Sequence, residues 1–398
     1  MGLITSEFGI LAALLAAADT ASVTTPAMSD QAQYAKRYEA IHNILFVVET
    51  ALTLFLLIGF LRTGASAWLA QAVQAQVANP WLHVALFAGI LVVGMKVVFL
   101  PLNWLGDYYL EHRYHLSNET PAGWVGDELK SLGLSLGLGV AVIDVIYCLL
   151  RRAGPDWWIW AGLFMLVFGI VLSALFPVVI LPLFYKLEPL ENEVLRHRLV
   201  GLADRVGARV VGVYRLALSA KTKKANAAFA GLGATKRILL GDTLLNNFTE
   251  DEIEVVMAHE MAHYKHGDLW KMIGWSAGTT WVGLGLADCA LRHGLKHFGF
   301  TNVSDLGAFP LLALGLFGFG LVVMPANHAF SRWRERKADQ TALDLTRNPA
   351  GFASAMRKLA EQNLADVAPH PVIEFLLHDH PALSRRIALA EQWSPKSS

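Results

Sequence analysis

Residues 255–268, VVMAHEMAHYKHGD, contain three histidines, His259, His263 and His266, with a single carboxylate, Glu260, among them. His259 and His263 are four residues apart, so on a helix they share one face and can bind a single metal ion. Glu260 follows the first of these histidines and is placed to take a proton from a metal-activated water. This HExxH pattern is typical of zinc proteases and predicts a catalytic zinc site. The simpler alternative is an amphipathic helix whose histidines are only solvated.

His266 lies on the same predicted helix face but is a poor third ligand. It is about 10.5 Å from His259 along the helix axis, whereas a Zn–N bond is about 2.1 Å. We therefore expect His266 at the helix end or behind the ligands. The third ligand must come from elsewhere, and the best candidate segment is FSRWRERKADQTALDL at 330–345. There Glu335 and Asp339 are four apart, so one can bind the metal while the other orients a ligand. The alternative for Glu335 is a solvated ion pair with the neighbouring arginines.

The composition indicates a membrane protein. Hydrophobic residues make up 54% of the 398 residues and charged residues only 17%, whereas a soluble domain carries about 25% charged residues. The 33 basic and 33 acidic side chains balance, which argues against a nucleic-acid-binding surface. The two cysteines, Cys148 and Cys289, lie in apolar runs and form neither a disulfide framework nor a CxxC metal pair.

A membrane-spanning helix needs about 20 mostly apolar residues. Five stretches meet this requirement: Ile41–Leu61, Trp81–Leu105, Ser131–Leu150, Trp157–Tyr185 and Leu306–Ala326. A sixth, Met272–Leu291, is rich in Gly and Trp and carries one charge, Asp288. The N-terminal run FGILAALLAAADTA is a signal peptide, an extra span or a plain leader. The sequence therefore predicts six or seven spans.

Charged residues inside the predicted spans need an explanation. They are Glu49, Lys96, Asp144 and Asp288, and each costs about 2.5–3.5 kcal/mol in lipid by insertion scales. We expect them either to face a hydrated cavity or to pair between helices. Basic residues before the first span and at 332–337 predict that both ends are cytoplasmic, although Arg151 and Arg152 oppose this orientation.

The spans and polar segments divide the chain. We predict an N-terminal leader or extra span at 1–40, a four-span membrane region at 41–185, a soluble protease segment at 186–270, a two-span membrane region at 271–330, and a C-terminal helical segment at 331–398 that completes the zinc site. In the soluble segment, NEVLRHRLVGLADRVG has helical periodicity, and RVVGVYRL reads as a strand. NAAFAGLGATKRILLGDTLL predicts two further strands. Thr249 and Glu252 form a capping box that begins the HExxH helix.

Several of these stretches together resemble one family. HEMAH, SRWRERKAD and HPALSRRI match the type I CAAX prenyl proteases, which are integral-membrane zinc metalloproteases. NAAFAG, TKRILLGDTLL, LPLNWLGDYYLEHRYHLSNET and FPVVILPLFYKLEPLENEVLRHRLVGLADRVG match as well. The resemblance covers about residues 95 to 391 and, with the compact loops, indicates a bacterial member.

The resemblance implies a mainly α, polytopic fold whose six or seven membrane helices enclose a water-filled chamber, with a zincin-like α+β metalloprotease domain. It implies one zinc ion per chain. It also implies the following roles: His259, His263 and Glu335 as zinc ligands, Glu260 as general base and acid, Asp339 as support for the ligands, His380 and Arg386 as contacts to substrate and transition state, and Asn226 on the edge strand along which the peptide lies.

The leading functional prediction is a membrane-embedded zinc endopeptidase that cuts peptide or protein substrates near their C-termini. Prenylated CAAX peptides define the substrate class of the family it resembles. The first alternative is a quality-control protease of broad specificity, and a more distant one is a non-catalytic zinc-binding transporter or receptor. Catalytic zinc keeps an open coordination position, so three ligands beside a glutamate favour catalysis. The expected location is the bilayer of a bacterial inner membrane, with the endoplasmic reticulum as the alternative and the site on the cytoplasmic side.

Overall fold

The computed structural model describes residues 28–395, and most of them are helical. The segment before the sheet is entirely built of helices and short connections. Its helices are α1 Met28–Arg62, α2 Ala65–Gln76, α3 Pro80–Arg113, α4 Pro121–Arg152 and α5 Gly154–Phe184. Residues 1–27, where most of the predicted leader falls, lie outside the described residues.

A small sheet follows, with the strands β1 Leu187–Pro189, β2 Val213–Leu216, β3 Ala227–Ala230 and β4 Arg237–Gly241. The remaining helices are α6 Glu193–Arg205, α7 Asp242–Asn247, α8 Glu250–Lys265, α9 Asp268–Phe298, α10 Phe309–Thr346, α11 Pro349–Gln362, α12 Pro371–Leu377 and α13 Leu383–Glu391. The predicted HExxH helix is α8, and the predicted C-terminal helices are the end of α10, α11 and α13.

Within residues 28–395, five helices are long and apolar enough to cross a membrane. They are α1, α3, α4, α5 and the helix Leu306–Thr346, which contains α10. These five confirm the five strongest predicted spans. The sixth predicted span forms most of α9, but α9 is not among the five, because its Gly, Ser, Thr and Trp residues lower its mean hydropathy. Within residues 28–395 the structure therefore supports five spans, and the N-terminal run that could add another lies outside the described residues.

Two of the four charged residues predicted inside spans pair with neighbouring helices. Lys96 of α3 forms an ion pair with Glu128 of α4. Asp288 of α9 accepts a hydrogen bond from Trp157 Nε1 of α5 at 2.7 Å and pairs with Arg292. Lys96 therefore agrees with the pairing alternative, whereas Asp288 is bonded to a neighbouring helix by Trp157 and is ion-paired within its own helix by Arg292.

The sheet has the strand order β1-β2-β4-β3. β2 and β4 are parallel, whereas β1 and β3 pair antiparallel with their neighbours. Three of the strands lie where the sequence predicts them. The prediction missed β1, which has only three residues and ends at Pro189. β3 is a terminal strand of the sheet, and within residues 28–395 one of its edges has no neighbouring strand.

Helix α8 is at the centre of the hydrophobic core beside the sheet. Val255, Met257, Ala258 and Met261 are fully buried. They belong to a cluster that includes side chains of α6, β4 and α11, such as Leu199, Ile238 and Phe352. Full burial of such a side chain contributes about 1.5–3 kcal/mol, so this packing holds α8 rigidly between the sheet and α11.

The capping box predicted at the start of α8 is present. Thr249 Oγ1 accepts a hydrogen bond from the Glu252 amide, and Glu252 Oε2 accepts one from the Thr249 amide at 2.8 Å. Glu252 is 4% exposed and also accepts hydrogen bonds from Ser354 Oγ at 2.6 Å and Lys358 Nζ at 2.7 Å of α11. One carboxylate thus begins the helix and ties it to its neighbour.

We predict that Glu252→Ala lowers the free energy of unfolding by about 1–3 kcal/mol, because it leaves buried donors without their acceptor. Asp251→Ala is the matched control. Asp251 is exposed and pairs with Arg198 at the surface, so its loss should cost less than about 1 kcal/mol. Chemical denaturation in detergent micelles measures both changes, and equal losses would contradict the assignment.

Candidate metal centre

Helices α8 and α10 bring three potential ligands together. His259 and His263 project from α8, and Glu335 comes from α10. The two Nε2 atoms are 3.3 Å apart. Glu335 Oε2 lies 3.1 Å from His259 Nε2, and Glu335 Oε1 lies 3.2 Å from His263 Nε2. Ligand atoms of all three residues lie within 4.8 Å of one another.

This arrangement fits a metal ion such as zinc. A tetrahedral ion with bonds of about 2.1 Å separates its ligand atoms by about 3.4 Å, close to the distances between these atoms. The two imidazole rings are perpendicular, at an interplanar angle of 89°. Glu335 Oε2 is buried and accepts no hydrogen bond from any residue in the described part of the chain. A buried, unsatisfied carboxylate oxygen needs a positive partner, which a metal ion would provide.

A carboxylate orients each histidine from behind. His259 Nδ1 lies 2.8 Å from Asp339 Oδ1, and His263 Nδ1 lies 2.9 Å from Asp268 Oδ2. Protons on the Nδ1 atoms leave both Nε2 atoms free to bind metal, which is the usual support for a metal-binding histidine.

Sequence reasoning identified Asp339 but missed Asp268. Gly267 has a φ of 63°, a left-handed conformation that glycine adopts without steric cost. Gly267 connects α8 to α9 and turns the chain so that Asp268 meets His263. His263 and Asp268 are five residues apart, a spacing at which side chains on one helix do not meet. The Gly267-Asp268 dipeptide, which is typical of a turn, was therefore the only indication of this contact in the sequence.

Burial and the neighbouring charges have opposite effects on the pKa of His259. Burial disfavours the charged imidazolium, but the neighbouring carboxylates of Asp339 and Glu335 more than offset this and raise the pKa of His259 to about 9. The ligand cluster therefore attracts positive charge, which a proton or a metal ion can supply. Metal binding requires the proton to leave.

Arg386 lies behind Asp339. Its Nε donates to Asp339 Oδ2 at 2.9 Å, and its Nη2 donates to Oδ1 at 2.7 Å. Arg386 is 8% exposed. Burial lowers its pKa, but the carboxylates of Asp339, Glu335 and Glu260 more than compensate and raise it above its ordinary value. The predicted contact of Arg386 with a transition state stays a prediction, and the observed role is to fix Asp339.

His380 approaches the centre from the open side. Its Nε2 lies 3.4 Å from Glu335 Oε2, and its Nδ1 lies 2.7 Å from Asp379 Oδ1. The side chain is 53% exposed. Burial lowers the pKa of His380, but Asp379 and Glu335 raise it overall. His380 is thus a polar group that a substrate can reach.

The other predicted residues lie around this centre. Glu260 is half-buried and directly follows His259 on α8. His266 ends α8, with its Nε2 2.8 Å from Thr341 Oγ1, so it is a helix-end residue rather than a ligand. Asn226 is exposed and precedes β3, and its carbonyl accepts a hydrogen bond from Gly241. Strand β3 packs beside α8, where the rings of Phe229 and Tyr264 lie 5.6 Å apart.

Comparison with known proteins agrees with this geometry. Residues 19–186 match the family described as "CAAX prenyl protease N-terminal, five membrane helices". Residues 189–394 match peptidase family M48. The chain belongs to peptidase family M48. Because the N-terminal match describes membrane helices and the structure has five candidate spans, this M48 member is an integral, multi-pass membrane metalloprotease.

Relatives of this M48 member include bacterial and eukaryotic proteins. It is 31% identical over 379 residues to "Uncharacterized metalloprotease YhfN" of Bacillus subtilis, covering 94% of this chain and 88% of that protein. It is 28% identical over 328 residues to "CAAX prenyl protease 1" of Saccharomyces cerevisiae, covering 78% and 72%. The crystal structure of S. mikatae Ste24p superimposes with a TM-score of 0.78 at 24% identity, covering 92% and 88% of the two chains. The fold and family predictions are confirmed.

We predict that Asp268→Ala weakens zinc binding about 10- to 100-fold, because His263 loses the carboxylate that orients it. Asp268→Asn keeps an acceptor oxygen and should lose less. His266→Ala is the control and should bind zinc like the unaltered protein. Competition with a chromophoric chelator measures the affinities. An equal loss in the His266 variant would show that the third histidine contributes to the site.

Proposed function

We propose that this protein is a zinc endopeptidase of the membrane that cuts prenylated CAAX-type peptides near their C-termini. The observation that carries the proposal is the convergence of His259 Nε2, His263 Nε2 and the Glu335 carboxylate, with Glu260 next to the first ligand. Yeast CAAX prenyl protease 1, a relative along most of the chain, supports the substrate class. A metalloprotease of this family acts on peptides or proteins, and prenylation is the added proposal.

His259, His263 and Glu335 would hold one zinc ion per chain. When bound, zinc supplies a Lewis acid that polarises the scissile carbonyl and acidifies a water molecule. Glu260 accepts the proton of the attacking water and passes it to the leaving amine. Asp339 and Asp268 hold the two imidazoles in the tautomer that this arrangement requires, and Arg386 fixes Asp339 by two hydrogen bonds.

His380 is the group that we assign to the substrate. Its exposure and its position 3.4 Å from Glu335 support this role, because a donor at the mouth of the site can reach the carbonyl under attack. Electrostatic stabilisation by one such donor contributes about 2.7–4 kcal/mol to a transition state. Arg386 adds a positive charge on the far side of Asp339, where it also interacts with the carboxylates of Glu335 and Glu260.

We further propose that the substrate pairs with the open edge of β3, at Asn226–Ala230. An extended peptide on a sheet edge gains main-chain hydrogen bonds with little demand on its sequence. The packing of β3 beside α8 supports this arrangement, because a peptide on that edge would run past the metal centre.

The end of the molecule that carries the site would face the cytoplasm of a bacterium. Trp275, Phe330 and Trp333 form a stack there, with centroid distances of 5.0 Å and 5.8 Å, and Lys271 and Lys337 lie over Trp333. Aromatic side chains mark the membrane interface, and basic residues favour the cytoplasmic side. The Bacillus subtilis relative supports an inner-membrane location. Enclosure of a hydrated chamber by the spans belongs to the same proposal.

We predict that Glu260→Gln leaves one zinc ion per chain but lowers kcat at least about 10²- to 10⁴-fold, because the amide cannot accept the proton. Metal analysis and cleavage assays on the same purified sample separate the two effects. His259→Ala, which removes a ligand, should lose both zinc and activity. Retained hydrolysis in the Gln variant would overturn the assignment of Glu260.

A second prediction concerns the substrate. In detergent, the protein should cleave a farnesylated CAAX peptide and leave the same peptide without the farnesyl group largely intact, as followed by mass spectrometry. A zinc chelator should abolish cleavage, and added zinc should restore it. Equal cleavage of both peptides would favour a broad quality-control protease. Cleavage of neither would contradict the proposed function.

A further inference from the structure

We infer that Glu39, in the first membrane helix, is a positioning residue for His380. It holds the backbone that presents His380 to the metal centre. This inference rests on the proposed function, because it assigns Glu39 a part in the same reaction. Glu39 lies in the part of the chain that matches the membrane family, whereas His380 lies in the part that matches peptidase family M48.

Glu39 makes two contacts with the C-terminal segment. Its Oε1 lies 2.8 Å from His378 Nε2, and its Oε2 accepts a hydrogen bond from the Asp366 amide at 3.1 Å. The side chains of Glu39 and His378 are each 22% exposed, so water screens this pair less than it screens a surface ion pair. One carboxylate of α1 thus binds both the loop after α11 and the loop after α12.

Helix α10 holds the same segment from the other side. Arg332 Nη1 donates to the carbonyl oxygens of Glu374 at 2.8 Å and His378 at 2.5 Å. The Ser384 amide donates to the Val367 carbonyl at 2.9 Å and joins the start of α13 to the loop after α11. Residue 378 is therefore fixed from two helices, through its side chain by α1 and through its carbonyl by α10.

His380 has little other support within residues 28–395. Its polar contacts are the adjacent Asp379 and Glu335 itself, and its side chain is more than half exposed. The ring position therefore follows from the backbone two residues earlier. A displacement of about 1 Å at a reacting group can cost about 10²-fold in rate. Loss of Glu39 should consequently reduce turnover without removing the metal or the peptide-binding strand.

The test uses the full chain in detergent with the farnesylated CAAX peptide. Glu39→Ala is made in the unaltered protein and in the His380→Ala variant. In the first background we expect kcat to fall about 10- to 100-fold, with KM and zinc per chain unchanged. In the second, Glu39→Ala should cause no further loss, because the group that it positions is already gone. Asp30→Asn, which removes an exposed charge from the same helix, is the matched control and should change nothing.

A loss of the same size in both backgrounds would overturn the inference, since it would show that Glu39 acts through general stability. Hydrogen–deuterium exchange provides a second measurement that needs no activity. Glu39→Ala should raise exchange in 374–384 and leave the peptide carrying α8 unchanged. Unchanged exchange in 374–384 would also overturn the inference. Loss of chelator-sensitive cleavage in the unaltered protein would instead contradict the proposed function, so the two failures are distinguishable.

Discussion

The contact between Asp339 and Arg386 is the interaction on which the site depends. Asp339 is fully buried, and Glu335 is 5% exposed on the same helix. Two buried carboxylates beside two histidines would be costly in an apolar core unless cations and donors compensate them. Arg386 supplies one cation and binds Asp339 through two nitrogens, a planar geometry that lysine cannot reproduce. The pair therefore requires α13 to pack against α10. Asp339, fixed in this way, contacts His259 of α8.

Helix α10 contains both a candidate membrane span and residues of the metal centre. It has 38 residues and is about 57 Å long at 1.5 Å per residue, far longer than a hydrocarbon core of about 30 Å. Its apolar first part can lie in lipid while Arg332, Glu335 and Asp339 stand beyond it. The same helix then carries Glu335, which we propose as a metal ligand, together with the carboxylate that contacts His259 and the arginine that holds the loop of His380. Any tilt of the span is transmitted to all three groups.

Residues of both family-matched parts, 19–186 and 189–394, contact one another around the site. Glu39 reaches His378 from α1, and Lys224, just before β3, contacts Tyr38 of α1 and Glu111 of α3. The open strand and the loop of His380 are thus both fastened to membrane helices. Because these contacts are polar and partly shielded, they define geometry more than they add net stability. Such contacts can hold the partly exposed site of a membrane protease in a fixed position relative to its membrane helices.

The sequence by itself determined whatever depends on neighbours a few residues apart. Periodicity of 3.6 placed His259 and His263 on one face, the capping box marked the start of α8, and runs of about 20 apolar residues identified five spans. The residue pattern also offered Glu335 and Asp339 as candidates for the third ligand; family resemblance chose Glu335 and added His380 and Arg386. Only the tertiary structure decided the rest: the contact of Asp268 with His263 depends on the left-handed turn at Gly267, and that of Glu39 with His378 joins residues more than 300 positions apart. Such contacts follow from the packing of whole helices, which local side-chain periodicity does not encode.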